Sequence, residues 1–466
     1  MENGKPQTTD LKQRLDNDLA LKFSLFQMPK FLEASEYALI QAMVAAKIWI
    51  GPVPDNPGGS GDIEWGLIPY WVHNPPAFIL AYIESHDILQ DAWKLLEFLL
   101  PARIDTANYN ALVSQVTHGG LVAADGTIFG DSQYDQLDPR WLFSFADYLI
   151  VVTTGDVAPF SNKQVPPIAL KDNQGQVKIA VVGDWGTGAF KEGEAINVMI
   201  QLMGHSPDYL IHLGDVYYAG TNGDFLPANE EMNNFLNDWP NSSQLPAGNS
   251  FMLNSNHEMY SGAKGYFNVG LADNRFSQQQ CTSYFALQYA GWTILGLDSA
   301  YYSSSGMFMS GSLGTNGVQC GWIQGLRSNG QPLSADKVIV MTHHNALSYD
   351  GLTEDTDYWN QITSALKGDP AAWYWGHVHD GIAYKSPTVA QRKTLARCVG
   401  HGAVPYGEAF GCATSTQVDY YAHTPAPVPP RVYNGFVLLT IAANGVITEE
   451  FYEQGSTTAK FSKQYS

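Results

Sequence analysis

Two apolar runs in this chain end in the same dipeptide. VKIAVV leads into Gly183-Asp184, and YLIHL leads into Gly214-Asp215. A carboxylate at the end of a buried strand can hold a cation or cap a turn, and the glycines around Asp184 add a third reading, a loop that cradles a phosphate. Spacing decides against the last. Gly183, Gly186 and Gly188 run GxxGxG rather than GxGxxG, and no Walker lysine follows. The cation reading gains from three clusters downstream: NSNHE with Asn256 and His257, VMTHH with His343 and His344, and WGHVH with His377 and His379. Residues two apart on an extended segment point the same way, so His377 and His379 can serve two adjacent ions from one strand end. Asp, Asn and His donors together suit two hydrolytic metal ions about 3.5–4 Å apart, with a bridging carboxylate and a bridging hydroxide.

The elements that must position these residues are legible around them. VKIAVVGD reads as a buried strand, and KEGEAINVMIQLMG as an amphipathic helix with Ala195, Ile196, Met199, Ile200 and Met203 on one face. YLIHLGD is the next strand, so the three make a βαβ unit with a right-handed parallel crossover. That unit sets Asp184 and Asp215 side by side at the carboxyl edge of a sheet, where open α/β sheets place their ligands. Further strands are expected in SYFALQYAGWTILGLDS, KVIVMTHH, AAWYWGHVH and GFVLLTIAANGVITEEFY. Upstream the texture differs. Residues 11–50 and 80–102 carry helical patterns, with Ile88, Leu89, Trp93, Leu96 and Leu99 along one side, and GPVPDNPGGSGD between them is loop. Residues 103–170 mix aromatic and polar residues irregularly, and VPPIAL followed by KDNQGQ places a boundary near 172. The expected organisation is a mainly helical region over 1–171 packed on a second domain over 172–466.

Five ordered blocks in the second domain resemble those of the calcineurin-like metallophosphoesterases, and most nearly those of the purple acid phosphatases, whose blocks are GDxG, GDxxY, GNH[DE], VxxH and GHxH. Here they stand as Gly183-Asp184-Trp185-Gly186, Gly214-Asp215-Val216-Tyr217-Tyr218, Asn256-His257-Glu258, Val340-Met341-Thr342-His343 and Gly376-His377-Val378-His379. FGDSQY at 129–134 also fits GDxxY, but it follows no apolar strand and is read as a decoy. The resemblance covers roughly 176–455. It implies an α+β fold, a two-sheet β-sandwich flanked by helices with the site at the sheet edges, to which this chain adds the helical N-terminal region. It also implies one metal site of Asp184, Tyr218 and His379, a second of Asn256, His343 and His377, and Asp215 bridging them. General members of the superfamily carry DxH in the first block. Gly186 stands there instead, and Tyr218 is available to replace the histidine as a hard, anionic ligand that favours Fe(III). The cofactors implied are therefore iron at the tyrosine-bearing site and Fe, Zn or Mn at the other. His257 would lie beside the ions as the catalytic acid, protonating the leaving alkoxide or stabilising phosphoryl charge.

Some positions depart from the family pattern. Ser255 takes the place of the glycine in GNHE, Leu352 and Thr353 lie where plant-type members carry further histidines, and Asp380-Gly381-Ile382-Ala383 follows GHVH in place of Ala-Tyr-Glu-Arg. These touch the groups that would grip substrate and leave the ligands intact. His344 and His401 are candidates for lining the substrate pocket. Tyr217, His205, His212 and Asp298 are read as structural.

Composition bounds the partners. With 45 acidic and 25 basic residues the net charge is −20, a field that repels nucleic acid and anionic membrane. A small phosphate ester stays compatible, because a bound metal dominates its local field. The best apolar stretches are interrupted by Lys47 and Asp147 and fall short of the ~18–20 residues that a membrane span needs. Four scattered cysteines form neither a disulfide framework nor a CxxC site. With no leader pattern at the N-terminus, the default expectation is a cytoplasmic protein, although a trimmed secreted chain reads the same. The oligomeric state is left open. The leading expectation is a dinuclear phosphatase acting on phosphomonoesters through metal-bound hydroxide. The alternatives are a phosphodiesterase or nucleotide phosphohydrolase on the same metals, and a binding protein that keeps the metal fold without turnover.

Overall fold

The computed structural model describes residues 140–466 apart from 191–194, 224–228, 315–316, 404–409 and 427–431. Before residue 140 it describes only 77–84, 90, 121–122, 128–129 and 134. The helical pattern read over 11–50, and the part of 80–102 that carries Ile88 to Leu99, lie outside the described residues. Ala77–Glu84 forms a helix, α1, and Trp141–Thr154 a second, α2, closed by Gly155 in the left-handed region.

Among the described residues, fourteen strands build the two large sheets. In chain order they are β1 Ile168–Ala169, β2 Gln176–Val182, β3 Tyr209–His212, β4 Ser250–Met252, β5 Phe285–Tyr289, β6 Trp292–Gly296, β7 Val338–Thr342, β8 Ala372–Trp375, β9 Gly381–Tyr384, β10 Leu395–Val399, β11 Val418–Tyr421, β12 Gly435–Ala442, β13 Ile447–Glu453 and β14 Phe461–Tyr465. One sheet has the order β11-β9-β10-β8-β7-β6-β5-β1, and the other β14-β13-β12-β2-β3-β4. Each has a parallel centre: β6, β7, β8 and β10 in the first, β2, β3 and β4 in the second. The antiparallel partners flank these centres. The two sheets pack face to face with helices outside, the α+β sandwich expected.

Alternation along each strand assigns its side chains to layers. Val177, Ile179 and Val181 of β2 join Ile211, Ile294, Ile339, Met341, Tyr374, Val437 and Leu439 in the core between the sheets. Ala180 and Val182 point the other way, into a second core with Phe235, Trp239 and helix α3, Ala195–Gly204. Val338, Val340, Trp373 and Trp375 enter a third core under two further helices. Strands covered on both faces must be apolar at every position, which explains the unbroken runs in the sequence. β5 and β6 turn through Ala290 and Gly291, both at positive φ, the requirement of a two-residue hairpin whose twist matches its strands. Arg397 of β10 clamps Glu449 of β13 across the central core through Nε at 2.9 Å and Nη2 at 2.7 Å, and the Tyr374 hydroxyl donates to the same carboxylate. This pair bolts one sheet to the other and is fully desolvated on both sides.

One expectation is corrected within α3. Its buried face is Ala195, Val198, Met199 and Leu202, while Ile196 and Ile200 are exposed. The apolar residues form two overlapping stripes, and the one at i, i+3, i+4 and i+7 meets the sheet. No helix among the described residues is long and apolar enough to cross a membrane.

Residues ahead of 172, where the sequence places a boundary, take part in this packing. β1 extends the eight-stranded sheet by pairing with β5, and Trp141 and Tyr148 of α2 are buried. Each large apolar side chain uncovered costs about 1.5–3 kcal/mol. A chain beginning at 172 is therefore expected to melt several degrees lower or to aggregate, as thermal unfolding and size-exclusion chromatography of the two lengths will report. A truncated chain as stable and monodisperse as the full one would show the contacts to be dispensable.

Candidate metal centre

The carboxyl ends of β2, β3, β4, β7 and β8 converge on one point, and the segment leaving each contributes to it. Asp184, Asp215 and His377 all have positive φ, at 56°, 75° and 66°. Non-glycine residues held there are strained by roughly 1–3 kcal/mol and cluster where function over-determines the backbone. Glycines make the approach close enough. A Cβ on Gly214, itself at φ 103°, would stand 2.8 Å from the Ser255 Cβ and 3.0 Å from His343 Nδ1, and one on Gly376 would stand 2.5 Å from Asp184 Oδ2. At Gly186 a Cβ would lie 2.3 Å from the Asp215 carbonyl oxygen. The position where general members carry a histidine therefore has no room for a side chain here.

The donors around Asp215 fall into two groups. On one side Asp215 Oδ2 accepts from the Tyr217 hydroxyl at 3.1 Å, and that hydroxyl also meets His379 Nε2 at 3.0 Å and Asp184 Oδ1 at 3.4 Å. On the other side Asp215 Oδ1 lies 3.3 Å from His343 Nε2, which in turn faces Asn256 Oδ1 at 2.7 Å and His377 Nδ1 at 3.2 Å. His343 Nδ1 must donate to the Leu213 carbonyl at 3.0 Å, so its Nε2 presents a lone pair to the cluster. The Asn256 amide donates to the Tyr260 hydroxyl at 2.8 Å, which turns its oxygen the same way. Lone pairs thus converge in a buried space, an arrangement that a cation relieves. Asp184, Asp215 and His343 can each bring a ligating atom within 4.8 Å of the other two. Burial, then the neighbouring Asp215 charge, push the Asp184 carboxyl well above the usual range. Two desolvated carboxylates beside imidazole and amide donors are a set that suits divalent or trivalent metal.

The tyrosine assignment is corrected. The Tyr217 hydroxyl, not that of Tyr218, sits among Asp184, Asp215 and His379. Tyr218 is committed elsewhere: its N–H donates to Glu230 at 2.5 Å and its carbonyl accepts from His257 Nδ1 at 2.6 Å. Its ring stacks on Tyr134 at 4.7 Å and meets Trp141 edge-on at 4.8 Å. A single-residue shift separates the two readings.

Ser255 replaces glycine without strain, since its φ of −134° is extended backbone. Its hydroxyl caps the short helix α4, Asn256–Met259, by accepting from His257 N. The same hydroxyl bridges Asp215 Oδ1 and Glu258 Oε2. One hydroxyl proton cannot serve both carboxylates, so Glu258 brings its own; burial, followed by the Asp215 charge, pushes it up to about 8. Glu230 collects the N–H groups of Tyr218, Ala219 and Thr221 and is pushed up to about 7 by burial against those bonds.

The other candidates take different places. His257 Nε2 looks toward Asp215 Oδ2 from 3.8 Å, beside the cluster rather than in it. His344 uses both ring nitrogens on protein, Nδ1 with Ser299 Oγ at 2.9 Å and Nε2 with the Phe308 carbonyl at 2.7 Å. His401 is buried against Gly381 and Gly435, with neither ring nitrogen hydrogen-bonded and its basicity pushed down to about 3 by burial. The backbone beside it matters more, because Gly402 and Ala403 donate to the Gly183 and Asp184 carbonyls and hold that turn. His212 is packed against Phe235 and Trp239 in the core. Asp298 accepts from Ala300 and Tyr301 as a turn residue. Cys398 is a buried free thiol. Tyr134 ends the FGDSQY segment set aside as a decoy; Ile128–Phe129 ahead of it does form a two-residue strand, and Tyr134 reaches the site by stacking rather than ligation.

The calcineurin-like phosphoesterase family profile matches residues 177–381. Among solved structures, the chain is similar to a purple acid phosphatase from yellow lupin (Lupinus luteus) seeds, at 16% identity and a TM-score of 0.42 over 62% of this chain and 54% of that one. It thus spans about half the length of the lupin protein. It is also similar to GAP50, the anchor in the inner membrane complex of Plasmodium, at 12% identity and a TM-score of 0.42 over 63% of this chain and 89% of that one. A search of the curated proteins finds no match. The matched segment runs from β2 through the start of β9 and holds all the converging donors, and residues 177–381 are a calcineurin-like phosphoesterase domain.

Proposed function

We propose that this chain is a dinuclear metal-dependent phosphatase that hydrolyses phosphomonoesters, of the purple acid phosphatase kind. The observation that carries the reading is the division of the donors about Asp215, with Asp184, Tyr217 and His379 on one side and Asn256, His343 and His377 on the other. The first group would hold iron, because a phenolate is a hard anionic donor that favours Fe(III), and the second would hold Fe, Zn or Mn. When bound, the ions would supply a water nucleophile of lowered pKa and neutralise charge on the phosphoryl oxygens.

The protein's own groups do the rest. Asp215, its Oδ1 oriented by Ser255, keeps the two donor groups in register. His257, with Nδ1 committed to the Tyr218 carbonyl, presents Nε2 as the atom that protonates the leaving oxygen.

Metal analysis, a visible spectrum and a panel of mono- and diesters test the reading on the purified full chain. Two ions per chain, one of them iron, and a preference for monoesters are expected; a colourless, metal-loaded protein that prefers diesters would overturn it. The oxidised protein should show a broad visible band that Tyr217→Phe removes and Tyr218→Phe keeps, and the opposite pattern would restore the family spacing.

His257→Ala should retain both ions and lower turnover of alkyl phosphates about 100- to 10,000-fold, with a much smaller loss on activated aryl phosphates that need no protonation. Equal losses on both esters would make His257 an electrostatic group rather than an acid. Asn256→Ala should instead lose one metal equivalent by elemental analysis; full retention would remove Asn256 from the second site.

A further inference from the structure

The group that holds His257 comes partly from outside the phosphoesterase domain. The Tyr218 carbonyl that accepts from His257 Nδ1 at 2.6 Å also accepts from Ser144 Oγ at 2.9 Å, and Ser144 belongs to α2, ahead of the matched segment. Residues 141, 144 and 148 fall on one face of that helix, and all three reach the same place. The Trp141 ring stands 5.6 Å from the His257 ring and 4.8 Å from that of Tyr218. Tyr148 packs edge-on against Tyr260 at 6.5 Å, and Tyr260 lies 4.8 Å from His257. Ser144, Trp141 and Tyr148 are all buried.

The geometry points to Ser144 and Trp141 as positioning residues for His257. A carbonyl has two lone pairs, and here one takes the imidazole N–H while the other is tied to a helix. Ser144 therefore fixes the direction of the oxygen that fixes the ring. Glu230 accepts from the N–H of the same residue, so both backbone polar groups of Tyr218 are held. Trp141 limits the swing of the imidazole by contact. Removing the Ser144 hydroxyl takes away a bond to the Tyr218 carbonyl and none to the donors around Asp215, whereas Trp141 also meets the Tyr217 ring edge-on at 5.9 Å, so the serine variants isolate the effect on His257. The inference rests on His257 acting in the proposed phosphatase, and one of its readouts does not need activity.

The test uses the full chain carrying Ser144→Ala, Ser144→Thr or Trp141→Leu. Ser144→Ala is expected to keep both metals and the KM, and to lower kcat on an alkyl phosphate about tenfold while an activated aryl phosphate is nearly unaffected. Ser144→Thr, which keeps the hydroxyl, should restore kcat. Equal falls on both esters, or no fall, would overturn the assignment, as would a threonine variant no better than alanine. Independently of turnover, NMR of histidine-labelled protein should show the His257 Nδ1 proton, identified by its loss in His257→Ala, exchanging with solvent about tenfold faster in Ser144→Ala than in wild type. Unchanged exchange overturns the proposal. A wild-type protein that hydrolyses no ester refutes the phosphatase reading alone, since the exchange rate still decides whether Ser144 holds the ring. Should Trp141→Leu fail to fold, the serine variants carry the test.

Discussion

Asp215 is the carboxylate on which both halves of the donor cluster depend. Its two oxygens face different groups, Tyr217 on one side and His343 with Ser255 on the other, and both are fully buried. Burying an anion is expensive unless it is paired or coordinates metal, so the surrounding structure must force it into place. It does so with backbone: a left-handed turn after β3, a glycine at 214 that lets His343 and Ser255 close in, and a second turn at Asp184 held by the Gly402 and Ala403 amides. The rigid sandwich behind these turns supplies the rest. Its three cores and the Arg397–Glu449 bolt keep the strand ends in fixed relation, and the site inherits that precision.

Much of this was legible in the sequence because the physics is local. Runs such as VKIAVV and KVIVMT mark strands covered on both faces, and a polar residue closing such a run has few roles. The converging donors were visible for that reason. Tyr217 was not, because distinguishing it from Tyr218 requires knowing that Glu230, Ser144 and His257 all claim the Tyr218 peptide. Those claims come from residues remote in sequence or lacking any pattern of their own. The buried face of α3 was misjudged for a related reason. Two apolar stripes overlap on it, and only the sheet beneath chooses between Val198 with Leu202 and Ile196 with Ile200.

The Ser255 substitution shows how a departure from a family pattern can carry information that the pattern lacks. A glycine at that position would leave Asp215 Oδ1 without its hydroxyl partner and α4 without its cap. Serine joins the helix start, the bridging carboxylate and the protonated Glu258 into one relay of hydrogen bonds. Glu258 holds its proton because it is buried and because the Asp215 charge is close, so the loop's geometry and the charge state of the cluster are coupled.

The donors are drawn from separate segments running from Asp184 to His379, each delivered by a different strand end. None of them can meet until the parallel centres of both sheets have assembled, and long-range parallel pairings are the slow events of folding because loop closure precedes the contacts that reward it. The centre therefore has no precursor in the unfolded chain. On the proposed reading, an ion that bound only the assembled state would stabilise it by mass action, so metal supply would govern how long the finished protein persists as much as whether it works. Under scarcity the chain would turn over with its crowded carboxylates unrelieved, and under sufficiency the same carboxylates would become the stitch that locks the two sheet edges together.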